Sequence, residues 1–366
     1  MAIAFVVFLM FSQLSFRYAV SSTSAAFIRE LDADLIMVHR NRRVSHLEIT
    51  FDQSRLYQAR GMAAVKNAYP LYITLGSWRA LNAREERPIR IFAFNPEYPV
   101  FLTPEIKRAQ LSLKTSYTTL ADSRSKAVYG SLNSGIQAEL SGHSVLITDT
   151  FTLGSNFVAE GNLIMGDQTF FNLFVSQPSG IAGNIRASPQ QVDLGLIKLK
   201  SNADIEQVVQ ALNQELPTDV IVKTKQRLLE EEAKFWIRST AIGFIFEMGT
   251  GLAFVVGIVM VYNIIYTNID ENVPQYGTLR AIGYPRLYLI QVVLLQSMTV
   301  AIAGFIPGFW LSVLLCRLIS NATGLVLSTS SNTVHLVFLL TMSMCLISGF
   351  LASQKLRRLD PADVYG

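Results

Sequence analysis

Residue types that carry chemistry are sparse in this chain of 366 residues. The four histidines (His39, His46, His143, His335) fit no metal-ligand spacing, and neither HExxH nor CxxC occurs. There is no Gly-Lys pair, so a GxxxxGK phosphate loop is excluded and any nucleotide work must fall to another chain. Gly130-Ser131-Leu132-Asn133-Ser134-Gly135 misses the GxSxG elbow by one residue and reads as a loop. Gly249-x-Gly251 follows no strand and reads as helix packing. Cys316 and Cys345 lie in apolar stretches and read as small buried residues. No catalytic, cofactor-binding or metal-binding set emerges.

Three other features invite a role. Glu247 is the single charge in the apolar run Ser239–Ile269, and a carboxylate inside a membrane is a functional candidate by default. The competing reading is a partly hydrated acid near the outer face. Gly304, Pro307 and Gly308 combine a small-xxx-small face with a mid-helix proline, which implies close helix packing and a kink. The segment from Asp270 to Gly283 begins with acids, ends with glycine, and repeats Val273, Tyr276, Leu279 and Ile282 every third residue. It predicts a short interfacial helix with one face on the membrane or in a partner's groove.

The elements that must hold these residues follow from hydropathy. The chain is 50% hydrophobic and only 16% charged, too apolar for an ordinary soluble protein. Residues 17–235 hold 46 of the 58 charged side chains, residues 236–366 hold 12, and residues 1–16 none. A net charge of +4 without a basic run argues against nucleic acid as a partner. About 20 apolar residues cross a bilayer. The fold class expected is an α-helical membrane protein with four transmembrane helices, the first truncated, and a large α+β extracytoplasmic domain between the first and second. The spans are placed at 1–16 (partial), 239–269, 287–316 and 334–353. For the N-terminus, a first helix lacking its upstream part fits better than a signal peptide, because no basic residue precedes it.

Arg280 and Arg286 lie between the second and third spans, and Lys355, Arg357 and Arg358 in the 354–366 tail, whereas 319–333 has neither Lys nor Arg. The positive-inside rule puts the 270–286 segment and the tail in the cytoplasm and the domain at 17–223 outside. Within that domain, strands are expected at 34–39, 71–75, 194–199 and 219–223, and helices near 54–65 and over 204–216. The region 100–160 reads as an inserted subdomain. Residues 224–238 are expected to form a stalk helix running unbroken into the second span, with Trp236 as an interfacial anchor.

The segment ENVPQYGTLRAIGYP (271–285) resembles the coupling segment of MacB/FtsX-like permeases of ATP-binding cassette (ABC) transporters. QLSFR (13–17), LGLIKLK (194–200), STAIGFIF (239–246), GFIPGF (304–309), NATGL (321–325) and the tail KLRRLDPADVYG (355–366) resemble the DevC-like permeases of cyanobacteria. That resemblance implies a plasma-membrane permease that dimerises and binds a separate ABC ATPase. It also implies a membrane-fusion protein and a TolC-type outer-membrane channel as partners, and export of a lipid or glycolipid by mechanotransmission. Glu271, Gln275, Tyr276, Gly277 and Arg280 are then the expected ATPase contacts. The alternative is an FtsX-like mechanical regulator of a periplasmic cell-wall hydrolase.

Overall fold

The computed structural model describes residues 1–44, 49–81, 83–154, 160–175, 188–239, 241–323 and 330–357. His46, Arg358 with the rest of the tail, and the 324–329 part of the connection before the last helix lie outside them. The chain divides into two compact units. Residues 1–19, 240–322 and 327–366 form a helical unit, and 20–239 with 323–326 an α/β unit.

Among the described residues, four helices are long and apolar enough to cross a membrane. They are α1 (Ala2–Ser24), α8 (Ala241–Glu271), α10 (Arg286–Thr323) and α11 (Ser331–Arg357). The first runs over 23 residues, past the 1–16 stretch expected for it. Its serines do not end it because their hydroxyls turn back onto the helix: Ser12 donates to Phe8 O at 2.8 Å and Ser24 to Val20 O at 2.6 Å. It is also the most buried of the four. Of its most apolar stretch 61% is covered, against 17% for α8.

Close packing of the helical unit depends on glycine. A Cβ on Gly308 would lie 2.7 Å from Ala4 O and 2.8 Å from Val7 Cβ, and one on Gly304 would collide with Ile3, so this face of α10 lies directly against α1. Phe11 completes the seam between the rings of Phe305 and Phe309, at 5.6 and 5.4 Å. On α8, Ala253, Gly257, Val261, Ile265 and Ile269 are buried at four-residue intervals. A Cβ on Gly257 would meet Met344 of α11 and Val6 of α1. Outward-facing Phe244, Leu252, Trp310 and Leu339 are each more than 60% exposed, the apolar surface that lipid requires.

Among the described residues of the α/β unit, eleven strands are interspersed with short helices. The strands are β1 (Leu35–His39), β2 (Phe51–Asp52), β3 (Val65–Ala80), β4 (Arg87–Phe94), β5 (Thr118–Asp122), β6 (Gln137–Leu140), β7 (His143–Phe151), β8 (Asn162–Gly166), β9 (Gln191–Val192), β10 (Leu194–Leu199) and β11 (Val220–Thr224). The helices are α2 (Ala26–Arg29), α3 (Ser54–Arg60), α4 (Pro104–Ala109), α5 (Asp167–Phe174), α6 (Ile205–Glu215) and α7 (Lys225–Arg238). Nine strands form one sheet in the order β11-β1-β10-β3-β4-β8-β5-β7-β6, and β6 also pairs with β3. The region expected as an inserted subdomain instead supplies β5, β6 and β7 to a closed six-stranded ring completed by β3, β4 and β8, and β3 also pairs with β10 outside the ring. The first half of β3 (Val65–Leu71) pairs with β10, and its second half with β4 and β6.

Strand β1 reads LIMVH because both faces of the sheet are covered. Leu35 and Met37 join the core that includes Leu56 of α3 and Leu212 of α6. Ile36 and Val38 join the opposite core, with Phe27 of α2 and Leu228 of α7. On the outer side of β11, the Asn213 carboxamide pairs with Val222, accepting from its N–H at 2.8 Å and donating to its C=O at 2.9 Å. A side chain thus occupies backbone groups that a neighbouring strand would otherwise seek.

The stalk expectation needs correcting at its C-terminal end, in two respects. Helix α7 stops at Arg238, Ser239 takes φ −105° and ψ −1°, and a separate helix starts at Ala241; the intervening Thr240 lies outside the described residues. Trp236 is 8% exposed and donates from its indole to Glu232 Oε1 at 3.3 Å, which is a buried residue's environment and not an interfacial anchor's.

Candidate functional site

The 270–286 segment forms a short helix, α9 (Val273–Ala281), set off at both ends. Pro274 has no N–H to continue the ladder of α8, and Asn272 breaks it with φ −109° and ψ 15°. The Asn272 side chain donates to Asn268 O at 2.7 Å, filling the acceptor that the break frees. At the other end, Gly283 adopts φ +102°. Its N–H bonds Arg280 O, and that of Tyr284 bonds Leu279 O, a Schellman closure that a side chain at 283 would strain.

The five residues expected to contact an ATPase divide into two groups. Glu271 and Gln275 are exposed, together with Pro274 and Thr278, and Arg280 is half-buried. Tyr276 and Gly277 are buried. Tyr276 belongs to the core of the helical unit, Leu279 packs against that core, and burial raises the Tyr276 hydroxyl above its ordinary value. Tyr276 and Leu279 of the apolar repeat thus seat α9 on its own helices, whereas Ile282 is 72% exposed. The short helix is present, but Tyr276 and Leu279 of its apolar face are already occupied.

The other candidates lie elsewhere. Glu247, in the second turn of α8, is exposed beside Phe244 and Met248 and does not line the bundle interior, where membrane carboxylates usually work. Gly304 and Gly308 meet α1, with Pro307 between them inside α10.

Two polar residues inside the spans complete the α9 environment, and neither stood out in the sequence. Gln296 of α10 donates from Nε2 to Asn268 Oδ1 of α8 at 2.9 Å. The signal available was a carboxamide in each of two apolar runs.

A second candidate region is an open cleft of about 730 Å³ in the α/β unit, lined by Asp32, Asp34, Lys198, Glu206 and Lys225. Its charges are engaged locally. Lys198 Nζ lies 2.8 Å from Asp32 Oδ1 and 3.3 Å from Asp34 Oδ1; the bond to Asp32 chiefly raises its pKa against the opposing effect of burial. Lys225 donates to the carbonyls of Arg29 and Leu31, and burial lowers its pKa. Nothing in this arrangement poises a nucleophile beside a base.

Residues 248–361 match the FtsX-like permease C-terminal family. This region takes in most of α8, all of α9 and α10, and α11, so the short helix between the two long ones lies inside the matched segment. No curated protein matches the chain. Among solved structures, the periplasmic region of MacB from Actinobacillus actinomycetemcomitans is similar at 10% identity and a TM-score of 0.36, over 56% of this chain and 94% of that one. The extracellular domain of the noncanonic ABC-type transporter YknZ from Gram-positive bacteria is similar at 11% identity and 0.33, over 52% and 99%. A domain of a permease protein from Porphyromonas gingivalis is similar at 12% identity and 0.34, over 52% and 88%.

Proposed function

We propose that this chain is the membrane-spanning subunit of a DevC-like ABC exporter, and that a separate ATPase drives it through α9. The observation that carries this reading is α9 itself. It is a helix closed at both ends between two spans of an FtsX-like permease domain, seated by Tyr276 and presenting Gln275 and Thr278 outward, with Glu271 exposed at the end of α8 just before it. Arg280 and Arg286 favour a cytoplasmic location for it, where an ATPase would be. Glu271, Gln275 and Arg280 are assigned to the ATPase contact, Tyr276 and Gly277 to holding the helix in place. ATP-driven closure of the paired ATPase subunits moves α9, and α8 and α7 carry the motion outward to the periplasmic domain.

In this reading two copies of the chain act with a membrane-fusion protein and a TolC-type channel to export a lipid or glycolipid. The apolar outer faces of α8, α10 and α11 suit a substrate taken from the bilayer. The test is to purify the chain from native membranes under mild solubilisation and identify what accompanies it. An ABC ATPase with a fusion protein supports the export pump. The FtsX-like match also favours a second reading, a mechanical regulator, which an ATPase with a cell-wall hydrolase would support. Recovery of neither ATPase nor periplasmic partner overturns both.

A further inference from the structure

We infer that Asn268 and Gln296 are positioning residues that lock α9 to α8 and α10 together, so that a push on α9 shifts both spans instead of bending the chain at Asn272. The inference rests on the reading of α9 as the ATPase contact, and it assigns the residues that make that contact effective.

The connections form one unbroken chain. Gln296 Nε2 of α10 donates to Asn268 Oδ1 of α8 at 2.9 Å. The backbone carbonyl of that same Asn268 accepts from Asn272 Nδ2 at 2.7 Å. Asn272 O then accepts from Gln275 N at 3.0 Å and Tyr276 N at 3.2 Å, the first amides of α9. Asn268 therefore holds α10 with its side chain and the start of α9 with its main chain.

Without this set the junction would be weak. Pro274 supplies no N–H, and Asn272 N bonds Ile269 O, one residue short of the α-helical partner, so the regular ladder has already failed there. A carboxamide near the end of an apolar helix needs a partner close by, and each of these supplies the other's. Gln296 lies nearly three turns into α10, about 15 Å along its axis from Arg286. The tie consequently fixes the body of α10 and not merely the loop that leads into it.

The experiment is hydrogen–deuterium exchange on the full chain in lipid nanodiscs, read over Val273–Ala281. Gln296→Leu and Asn268→Leu should each speed exchange there about three- to tenfold, the range set by one interhelical hydrogen bond. The exchanged pair Asn268→Gln with Gln296→Asn should recover protection. Ser348→Ala removes a different interhelical bond, Ser348 Oγ to Ile258 O, and should leave α9 unchanged. Unaltered α9 exchange in Gln296→Leu, or equal acceleration in Ser348→Ala, overturns the assignment. The coupling reading fails separately: if Gln275→Arg leaves ATPase co-purification intact, α9 is not the contact, whatever the exchange data show.

Discussion

Arg90 donates two hydrogen bonds to one acceptor, Asn162 Oδ1, from Nε at 2.9 Å and from Nη2 at 2.7 Å. The same Asn162 donates from Nδ2 to Asp122 Oδ2 at 2.7 Å and to Gly154 O at 2.9 Å. Asp122 also accepts from the backbone N–H groups of Arg124, Leu153 and Gly154. Three strands of the closed ring, β4, β8 and β5, are thus joined by a buried cation and a buried anion with a carboxamide between them. Burial lowers the Arg90 pKa to about 10, opposed chiefly by Asp122, and the guanidinium lies over the rings of Phe92 and Phe27 at 4.9 and 5.6 Å.

Replacing Asn162 should therefore cost more than its own hydrogen bonds. Asn162→Leu leaves Arg90 and Asp122 buried and separated, and the expected loss is about 3 kcal/mol. Denaturant unfolding followed by tryptophan fluorescence checks this, since Trp78 is buried in the same ring and donates to Tyr129 O. A loss under about 1 kcal/mol would mean that water replaces the carboxamide.

The contact between α10 and α1 gives a second expectation. Gly308→Val sets its Cβ against the Ala4 backbone oxygen, which cannot turn aside. It should destabilise the helical unit by about 3 kcal/mol, within the range for overpacking. Gly251→Ala, on α8 with open space around its Cα, should be nearly silent. Thermal unfolding of the two variants in the same detergent provides the comparison.

Acid should loosen α7. Burial pushes the Glu231 carboxyl up, but its bonds to Lys223 of β11 and to Arg227 of α7 outweigh this and hold its pKa below the ordinary glutamate value of 4.5. A carboxylate whose folded pKa is depressed binds fewer protons than in the unfolded chain. Its contribution is complete above about pH 4.5 and is lost as pH falls through the lower folded value. Exchange of α7 amides should rise across that acid window in the unaltered chain, and Glu231→Gln should flatten the dependence.

Where local pattern governs structure, the fold is legible in the sequence. The runs at 35–39 and 194–199 are strands, and the helix before Leu216-Pro217 starts at Ile205 with Asp204 accepting from the backbone N–H groups of Glu206 and Gln207. Ring closure was not legible, because it depends on Trp78 meeting Leu140 across more than sixty residues. The first helix looked short because its charge-free apolar run ends at Phe16, although the helix continues to Ser24, whose hydroxyl turns onto Val20 O. For α9, spacing identified the helix and its apolar face but not what that face covers. Tyr276 and a partner-facing residue look alike until the neighbouring helices are in place.

The most direct measurement is the amount of ABC ATPase retained by the purified full chain, compared with the double variant Glu271→Lys, Gln275→Arg. Both positions are exposed on the α9 side and neither supports the core, so the variant should fold and insert normally. An ATPase recovered with the unaltered chain and reduced at least tenfold with the variant is the expected result. Equal recovery from both chains, or no ATPase with either, would contradict the assignment of α9 as the surface through which an ATPase drives this chain.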